Sequence, residues 1–211
     1  SIAVFEEVDF AEGSVKALKQ RLAQKIGVPR FRLRILQHNC PLDDNQTLID
    51  NQTLTLQVVQ LVILEFLPPD MEQDREIMVA CEENDDKLLE QHLNQPHNPN
   101  FADAYALTPL HVAASNGNLK CVLLLLEAGA NQNQGRKDNG ATPLFIAAQE
   151  GHFGVVRVLV ESGANKDQGT TDIGATPLYA AAHQGHLELV RFLVESGANK
   201  DRGTTDTGST P

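Results

Sequence analysis

The fold is decided by the stretch Asp138–Asn165, which reads DNGATPLFIAAQEGHFGVVRVLVESGAN. It returns 34 residues later as DIGATPLYAAAHQGHLELVRFLVESGAN over Asp172–Asn199. The pair Thr-Pro marks the same place in each copy and recurs at this spacing from Thr108 to Thr210. A fixed period of this size is the signature of a stacked repeat array. We therefore expect function to reside on a surface of the array and not in an enclosed pocket.

Each complete unit predicts two short helices. In the unit quoted first, the Thr142 hydroxyl can accept hydrogen bonds from the free N–H groups at the start of a helix. Pro143 suits the first helical position, because proline has no N–H and none is needed there. The alanine pair that follows permits close packing of helices, and Gly151 ends the helix. A second helix then carries an apolar stripe, including Val156 and Leu159, which we expect to face the neighbouring repeat.

These units resemble the ankyrin-repeat family. The resemblance is carried by Thr-Pro-Leu-His at 108–111, Gly-His at 151–152 and Gly-Ala-Asn at 163–165. It implies an α-helical solenoid that binds a protein partner along its concave side. We expect a degenerate first repeat at 75–107, complete repeats at 108–141, 142–175 and 176–209, and a further unit truncated at 211. Because the chain also begins with Ser1 and not with Met, we expect a fragment of a longer protein.

Residues 1–65 predict a separate α+β domain. Ile2–Val8 is apolar enough for a strand, and Ser14 is a suitable N-cap for a helix that Gly27 ends. Leu54–Leu64 is a long apolar segment that predicts the closing strand. One helix lying across a small sheet is the simplest arrangement of these elements.

Basic residues in this domain are predicted to lie at the surface. Between residues 30 and 35, arginines alternate with apolar residues, which is the two-residue period of a half-buried strand. Arg30 is therefore expected on an exposed basic face of this strand. Lys19 is expected on the solvent side of the helix. Residues 66–74 contain two consecutive prolines and are predicted to be a linker.

Part of the first domain resembles ubiquitin. The match runs from Ser14 to Ile63 and includes Gly27-Val28-Pro29, Leu42-Asp43-Asp44 and Leu61-Val62-Ile63. It implies a ubiquitin-like β-grasp domain whose first strand is missing. Leu36 and Val62 fall on two places of ubiquitin's hydrophobic recognition patch. The alternatives are an ordinary exposed apolar pair on a sheet, or a pair that the following repeats cover. Leu67-Pro68 stands where ubiquitin has its C-terminal Gly-Gly, so conjugation to targets is not expected.

Composition and charge exclude several classes of partner. The 211 residues carry a formal charge of −11, which repels phosphate backbones and anionic lipids, so neither nucleic acid nor a membrane is expected as a partner. The longest apolar run is far too short to span a bilayer. The three cysteines show no metal-ligand or disulfide spacing and fit a reducing compartment. We expect a monomer located in the cytoplasm or the nucleus.

No arrangement of residues predicts catalysis, a cofactor or a metal site. The histidines fit structural roles: His111 in the Thr-Pro-Leu-His cap, and His152 and His186 after the turn glycines. Asp138 and Asp172 recur singly at hairpins and are predicted to form turns, not a calcium site. We therefore expect a protein that is not an enzyme.

The variable positions of the array predict where a partner binds. They lie at the hairpin tips and on the exposed face of each first helix, and aromatic and arginine residues on such surfaces are common anchors of interfaces. The candidate partner-binding residues are Tyr105, Ser115, Asn116, Arg136, Lys137, Asn139, Gln149, Glu150, Ile173, His183 and Gln184.

Three functional hypotheses follow. The first is a non-enzymatic scaffold that holds a protein partner on the repeats and docks a second protein through the ubiquitin-like domain. The second is a ubiquitin-pathway adaptor that links a client to the proteasome or a ubiquitin ligase. The third is the targeting arm of a longer enzyme whose catalytic domain lies outside this sequence.

Overall fold

The computed structural model describes residues 2–3, 14–37, 40–44, 59–65, 70–202, 204–205 and 209–211. The chain forms two compact units, which are described separately. The first contains Ser1–Pro68, Leu93–Asn98 and Glu127–Gly129, and the second contains Pro69–His92, Pro99–Leu126 and Ala130–Pro211.

The first unit contains a four-stranded sheet and one long helix. Its elements are β1 (Ile2–Ala3), α1 (Val15–Ile26), a 3-10 turn (Arg30–Arg32), β2 (Leu33–Gln37), β3 (Cys40–Pro41) and β4 (Val59–Ile63). The strand order is β1-β4-β2-β3, and every neighbouring pair is antiparallel.

The predicted helix of this unit is confirmed. The Ser14 hydroxyl accepts the N–H of Ala17, and Gly27 ends the helix with a positive φ of 69°. Val15, Leu18 and Leu22 of α1 pack against buried residues of β2 and β4, which forms the core of the unit. Burial of this apolar face, and not intrinsic helix propensity, is what stabilises a helix of this length.

The predicted strands are described only in part. β1 covers the start of Ile2–Val8, and β4 covers Val59–Ile63 within Leu54–Leu64. The remainder of both segments lies outside the described residues, apart from Leu64. The strand predicted across 30–35 begins only at Leu33, because Arg30–Arg32 form a 3-10 turn after Pro29.

Two basic residues predicted to be exposed are buried. Lys19 is 3 % exposed and Arg30 is 1 % exposed. Both approach the Asp44 carboxylate: the Lys19 ammonium pairs with one oxygen, and an Arg30 nitrogen lies 3.3 Å from the other. The Arg30 guanidinium also lies 3.8 Å over the Phe31 ring. The prediction was wrong because sequence periodicity does not reveal a carboxylate that lets a cation be buried.

The second unit is an array of helix pairs. The helices are α2 (Met71–Glu83), α3 (Asp86–Leu93), α4 (Pro109–Ser115), α5 (Leu119–Glu127), α6 (Pro143–Glu150), α7 (Phe153–Glu161), α8 (Pro177–His183) and α9 (Leu187–Glu195). The first helices of successive repeats pack on one another in the order α2, α4, α6, α8.

The predicted helix starts are confirmed. The hydroxyls of Thr108, Thr142 and Thr176 each accept the N–H of the residue three positions later, with proline as the first helical residue. Ile77 and Leu89 of the predicted degenerate repeat are fully buried, but its first helix begins at Met71, within the segment 66–74 that was predicted to be a linker. Asp70 replaces threonine as the N-cap of α2 and accepts the N–H of Glu72.

Histidine side chains join neighbouring repeats. The Nε2 atom of His152 lies 2.9 Å from the Ser115 carbonyl, and that of His186 lies 3.0 Å from the Gln149 carbonyl. The structural reading of both histidines is confirmed, although each bond reaches the preceding repeat and not its own turn. Each one satisfies a carbonyl at the end of a first helix, where no intrahelical partner exists.

Main-chain bonds join successive hairpins. The N–H of Lys137 donates to the Tyr105 carbonyl at 2.8 Å, and that of Thr171 donates to the Asn139 carbonyl at 2.8 Å. The predicted turn role of Asp138 is confirmed, because its carboxylate accepts the N–H of Asn139. The hairpins therefore form a continuous edge. The distance from one hairpin to the next is set by the repeat.

Gly151 and Gly185 provide a matched test of the contact between repeats. Both have positive φ, 82° and 77°. A Cβ at Gly151 would lie 2.6 Å from the His186 ring, whereas no described atom lies within 4 Å of a Cβ at Gly185. We expect Gly185→Ala to destabilise the array by about 1 kcal/mol through backbone strain alone. Gly151→Ala should cost roughly 2–3 kcal/mol, because it also displaces the His186 bond.

The measurement is urea unfolding of both variants followed by circular dichroism. Equal losses of stability would contradict the assigned role of the His186 contact. His186→Ala should lessen the difference between the two glycine variants, since the ring that meets the new Cβ is then absent.

Candidate partner-binding groove

A groove of about 670 Å³ lies in the second unit, beside α4 and α6. Its volume is within the range of protein ligand sites. It is lined by Glu82, Leu107, His111, Val112, Ser115, Asn116, Arg136, Asn139, Ala141, Phe145, Ile146, Gln149 and Glu150.

The structure brings six of the eleven predicted residues together in this groove. They come from the end of α4, the following hairpin and the end of α6. These residues are Ser115, Asn116, Arg136, Asn139, Gln149 and Glu150. The prediction that the first helices and hairpins share one surface therefore holds for this part of the array.

Five predicted residues lie outside the groove lining. Tyr105, at the preceding hairpin, is 62 % exposed, and Lys137 is exposed on the next. Ile173 is half-buried at the third hairpin. His183 and Gln184 end the first helix of the following repeat and are exposed, and the His183 ring stacks on Tyr179 with centroids 6.0 Å apart. Their role in partner binding stays a prediction.

The apolar part of the groove was not among the sequence-based predictions. Val112, Phe145 and Ile146 line it although none was among the predicted residues. Phe145 stands where the first complete repeat has His111, and this departure from the repeated motif was the signal that could have found it. Glu82, from the helix of the degenerate repeat, was also missed, although a shift of 33 residues places it at the position of Ser115.

Arg136 is held at the groove by its neighbour. Its Nε and terminal nitrogen lie 3.0 and 2.5 Å from the two carboxylate oxygens of Asp138. The hydrogen bond from Arg136 is the largest cause that lowers the pKa of the Asp138 carboxyl below its usual value. The bidentate pair fixes the plane of the guanidinium and neutralises its charge locally.

His111 is a buried structural group beneath the groove. It is fully buried, and its Nδ1 accepts from the Thr108 N–H at 3.2 Å and from the Thr108 hydroxyl at 2.8 Å. Its Nε2 therefore carries the proton and donates to the Ala141 carbonyl at 3.1 Å. Burial lowers the pKa of His111 to about 4, although the Ala141 carbonyl opposes the shift. The ring is neutral at physiological pH and serves as a cap, as predicted.

Cys81 and Cys121 are buried thiols and not activated nucleophiles. Burial raises the pKa of Cys121 to about 11 and also raises that of Cys81. Since the thiolate is the reactive form, neither side chain is suited to attack a substrate at neutral pH. Within the described residues no three His, Cys, Asp or Glu side chains are placed to hold a metal ion.

The two patch residues of the first unit lie on one face of its sheet. Leu36 pairs with Gln60, and Val62 pairs with Arg34, so the two apolar side chains are diagonal neighbours on adjacent strands. Both are half-buried, whereas Ile35 and Leu61 on the opposite face belong to the core. This is the placement that strand alternation requires.

Family comparisons match the array. The family model described as Ankyrin repeats (3 copies) matches residues 77–170, and the model described as Ankyrin repeat matches residues 173–204. Together they cover more than half of the chain. The chain is an ankyrin-repeat protein. The groove of this ankyrin-repeat protein thus lies within matched residues throughout its lining.

The ankyrin-repeat protein is also similar to part of a curated plant protein. It is 54 % identical over 48 residues to the potassium channel AKT1 of Arabidopsis thaliana. The matched segment covers 23 % of this chain and 6 % of the channel. Among the described residues, the ankyrin-repeat protein has no helix that is both long and apolar enough to cross a membrane.

The low pKa of His111 predicts a loss of stability in mild acid. In the unfolded chain His111 binds a proton near pH 6.5, whereas in the folded chain it does so only near pH 4. The free energy of unfolding is therefore highest above about pH 6.5 and falls as the pH drops below that value. His111→Phe, which copies the residue at 145, has no group at this position to protonate. We therefore expect its free energy of unfolding, relative to that of the wild type, to rise by about 2 kcal/mol as the pH falls from about 7.5 to about 5.

Urea unfolding at the two pH values measures this relative gain. Tyr179→Phe, at the equivalent position of α8, is the control and should follow the pH dependence of the wild type. A difference between His111→Phe and wild type that is the same at both pH values would contradict the buried, neutral state of His111.

Proposed function

We propose that this protein is a non-catalytic scaffold that holds a protein partner in the groove between α4, α6 and their hairpins. One observation carries the proposal: an open groove of about 670 Å³ combines half-buried Phe145 and Ile146 with exposed polar residues at its edge. Apolar contacts at the centre and polar groups at the rim are the arrangement found at protein interfaces. The family membership supports the same role, because ankyrin repeats suggest binding to proteins.

The groove is well suited to receive a partner without reorganising. Both walls are helix ends tied by histidine bonds, and the hairpins are joined by main-chain hydrogen bonds. A site that is already ordered loses little conformational entropy when a partner binds. Tyr105 and the variable residues of the third complete repeat would extend the contact along the array.

A benzophenone amino acid placed at Glu150 tests this proposal directly. We expect it to cross-link to a protein partner in cell extract, because Glu150 is exposed at the groove edge. The same group at Arg157, which is exposed on α7 outside the groove lining, is the matched control. Gln149→Arg should remove the Glu150 adducts by filling the groove with a longer side chain.

Two results would contradict the groove as the binding site. One is equal yields of the same adducts from positions 150 and 157, which would indicate random encounter. The other is an adduct at 150 that survives Gln149→Arg unchanged. Circular dichroism of each variant must match the wild type, so that a loss of cross-linking reports on the groove and not on unfolding.

A second proposal concerns the first unit, which we infer to be a ubiquitin-like docking domain. It is supported by the capped helix α1, its packing on the sheet, and the diagonal placement of Leu36 and Val62 on one sheet face. Half-buried apolar neighbours on one sheet face, beside the polar residues Arg34 and Gln60, are suited to bind a partner. Such a domain would make the chain an adaptor between a client on the repeats and the ubiquitin pathway.

Nuclear magnetic resonance titration tests the docking patch. We expect a ubiquitin-binding domain added to the labelled chain to shift the amide signals of Leu36 and Val62, and Leu36→Ala to reduce those shifts. Leu123→Ala, an exposed apolar residue on α5, is the control and should leave them unchanged. Shifts confined to other residues, or no shifts, would reject this docking role and leave the groove proposal untouched.

A further inference from the structure

We propose that the groove selects a cationic partner segment, in which lysine or arginine side chains flank a bulky apolar side chain. This inference rests on the proposed function of the groove and adds the chemistry of the occupant. Three features of the groove support it: the charges at the rim, the apolar residues between them and the hydrogen-bonding groups along the wall.

The groove has an excess of negative charge. Glu82 and Glu150 are exposed at its edge, and within the described residues neither carboxylate takes part in an ion pair. The cation in the lining, Arg136, is already neutralised by the two bonds to Asp138. His111 is neutral at physiological pH. Two carboxylates therefore remain for the charges of a partner.

The apolar residues favour an anchor between those charges. Phe145 and Ile146 are half-buried, so their accessible parts lose contact with water when an apolar side chain covers them. A lysine or arginine side chain that packs on the Phe145 ring would also gain a cation–π attraction. A partner with cations alone would leave this apolar surface in contact with water.

The polar wall is suited to an extended peptide. The carbonyls of Ser115 and Gln149 are occupied by His152 and His186. The side chains of Ser115 and Gln149, which make no hydrogen bond to other described residues, remain to bind partner main-chain groups. A hydroxyl and a carboxamide can both donate and accept, so they can satisfy the N–H and C=O groups of an extended segment.

The charge of the whole chain acts in the same direction. A formal charge of −11 attracts a cationic segment at long range and repels an anionic one. Steering of this kind raises the rate of association and weakens as salt is added. A phosphorylated or acidic segment would meet both this field and the carboxylates at the rim, and is disfavoured.

Fluorescence anisotropy with three short labelled peptides tests the inference on the full chain. The first alternates Lys or Arg with Leu or Ile, the second replaces the basic residues by glutamate, and the third replaces the apolar residues by serine. We expect only the first to bind well. Glu82→Gln combined with Glu150→Gln should weaken the binding of the first peptide roughly tenfold at low salt. Glu161→Gln combined with Glu195→Gln is the control, because both residues are exposed and lie outside the groove lining. This pair should change the affinity for the first peptide by less than about twofold.

The outcomes separate the inference from the proposal it rests on. Equal weakening by both pairs of substitutions would show that the peptide responds only to total charge, which overturns the inference. If the glutamate peptide binds best and Gln149→Arg blocks it, the cationic class is wrong while the groove remains a protein-binding site. If no peptide is affected by Gln149→Arg and cross-linking at position 150 also fails, the proposed function itself falls.

Discussion

Close packing between successive first helices is the constraint on which the rest of the array depends. Ala113, Ala147 and Ala181 recur at the same position of α4, α6 and α8 and are fully buried. A larger side chain there would separate the helices, because protein interiors are packed without spare volume. The spacing of the helices sets the spacing of the hairpins, and thereby the distance across which the histidine and main-chain bonds can form.

The groove is a consequence of the same packing. Since the small residues lie between the helices, the larger ones, such as Phe145 and Gln149, lie toward the open side and line the groove. The caps also contribute, because Thr108 and His111 satisfy the amides of α4 beneath the groove without using its exposed groups. Stability and recognition are thus carried by different residues of each repeat, so the recognition surface can vary while the array remains folded.

Much of the fold could be predicted from particular residues. The Thr-Pro pairs located the helix starts, because a hydroxyl cap and a proline without a donor are useful only there. Ser14 and Gly27 bounded α1 for similar local reasons. Prediction failed where a distant partner decided the outcome: Lys19 is buried against Asp44, Arg30 is buried against Asp44 and Glu127, and none of these pairings follows from local periodicity. Half of the candidate site was missed in the same way, since Glu82 and Val112 enter the groove only through the stacking of repeats.

The sequence by itself determined that this chain forms an array of ankyrin repeats, where the helices that follow a Thr-Pro pair begin, and which residues face the neighbouring repeat. These properties depend on contacts within one repeat or on a period of 34 residues, and both can be read along the chain. Only the tertiary structure decided which side chains share a surface and which charges remain unneutralised on it. Arg136 is neutralised by Asp138, whereas Glu82 and Glu150 have no ion-pair partner in the described part of the chain, and this depends on distances between side chains that sequence spacing does not specify.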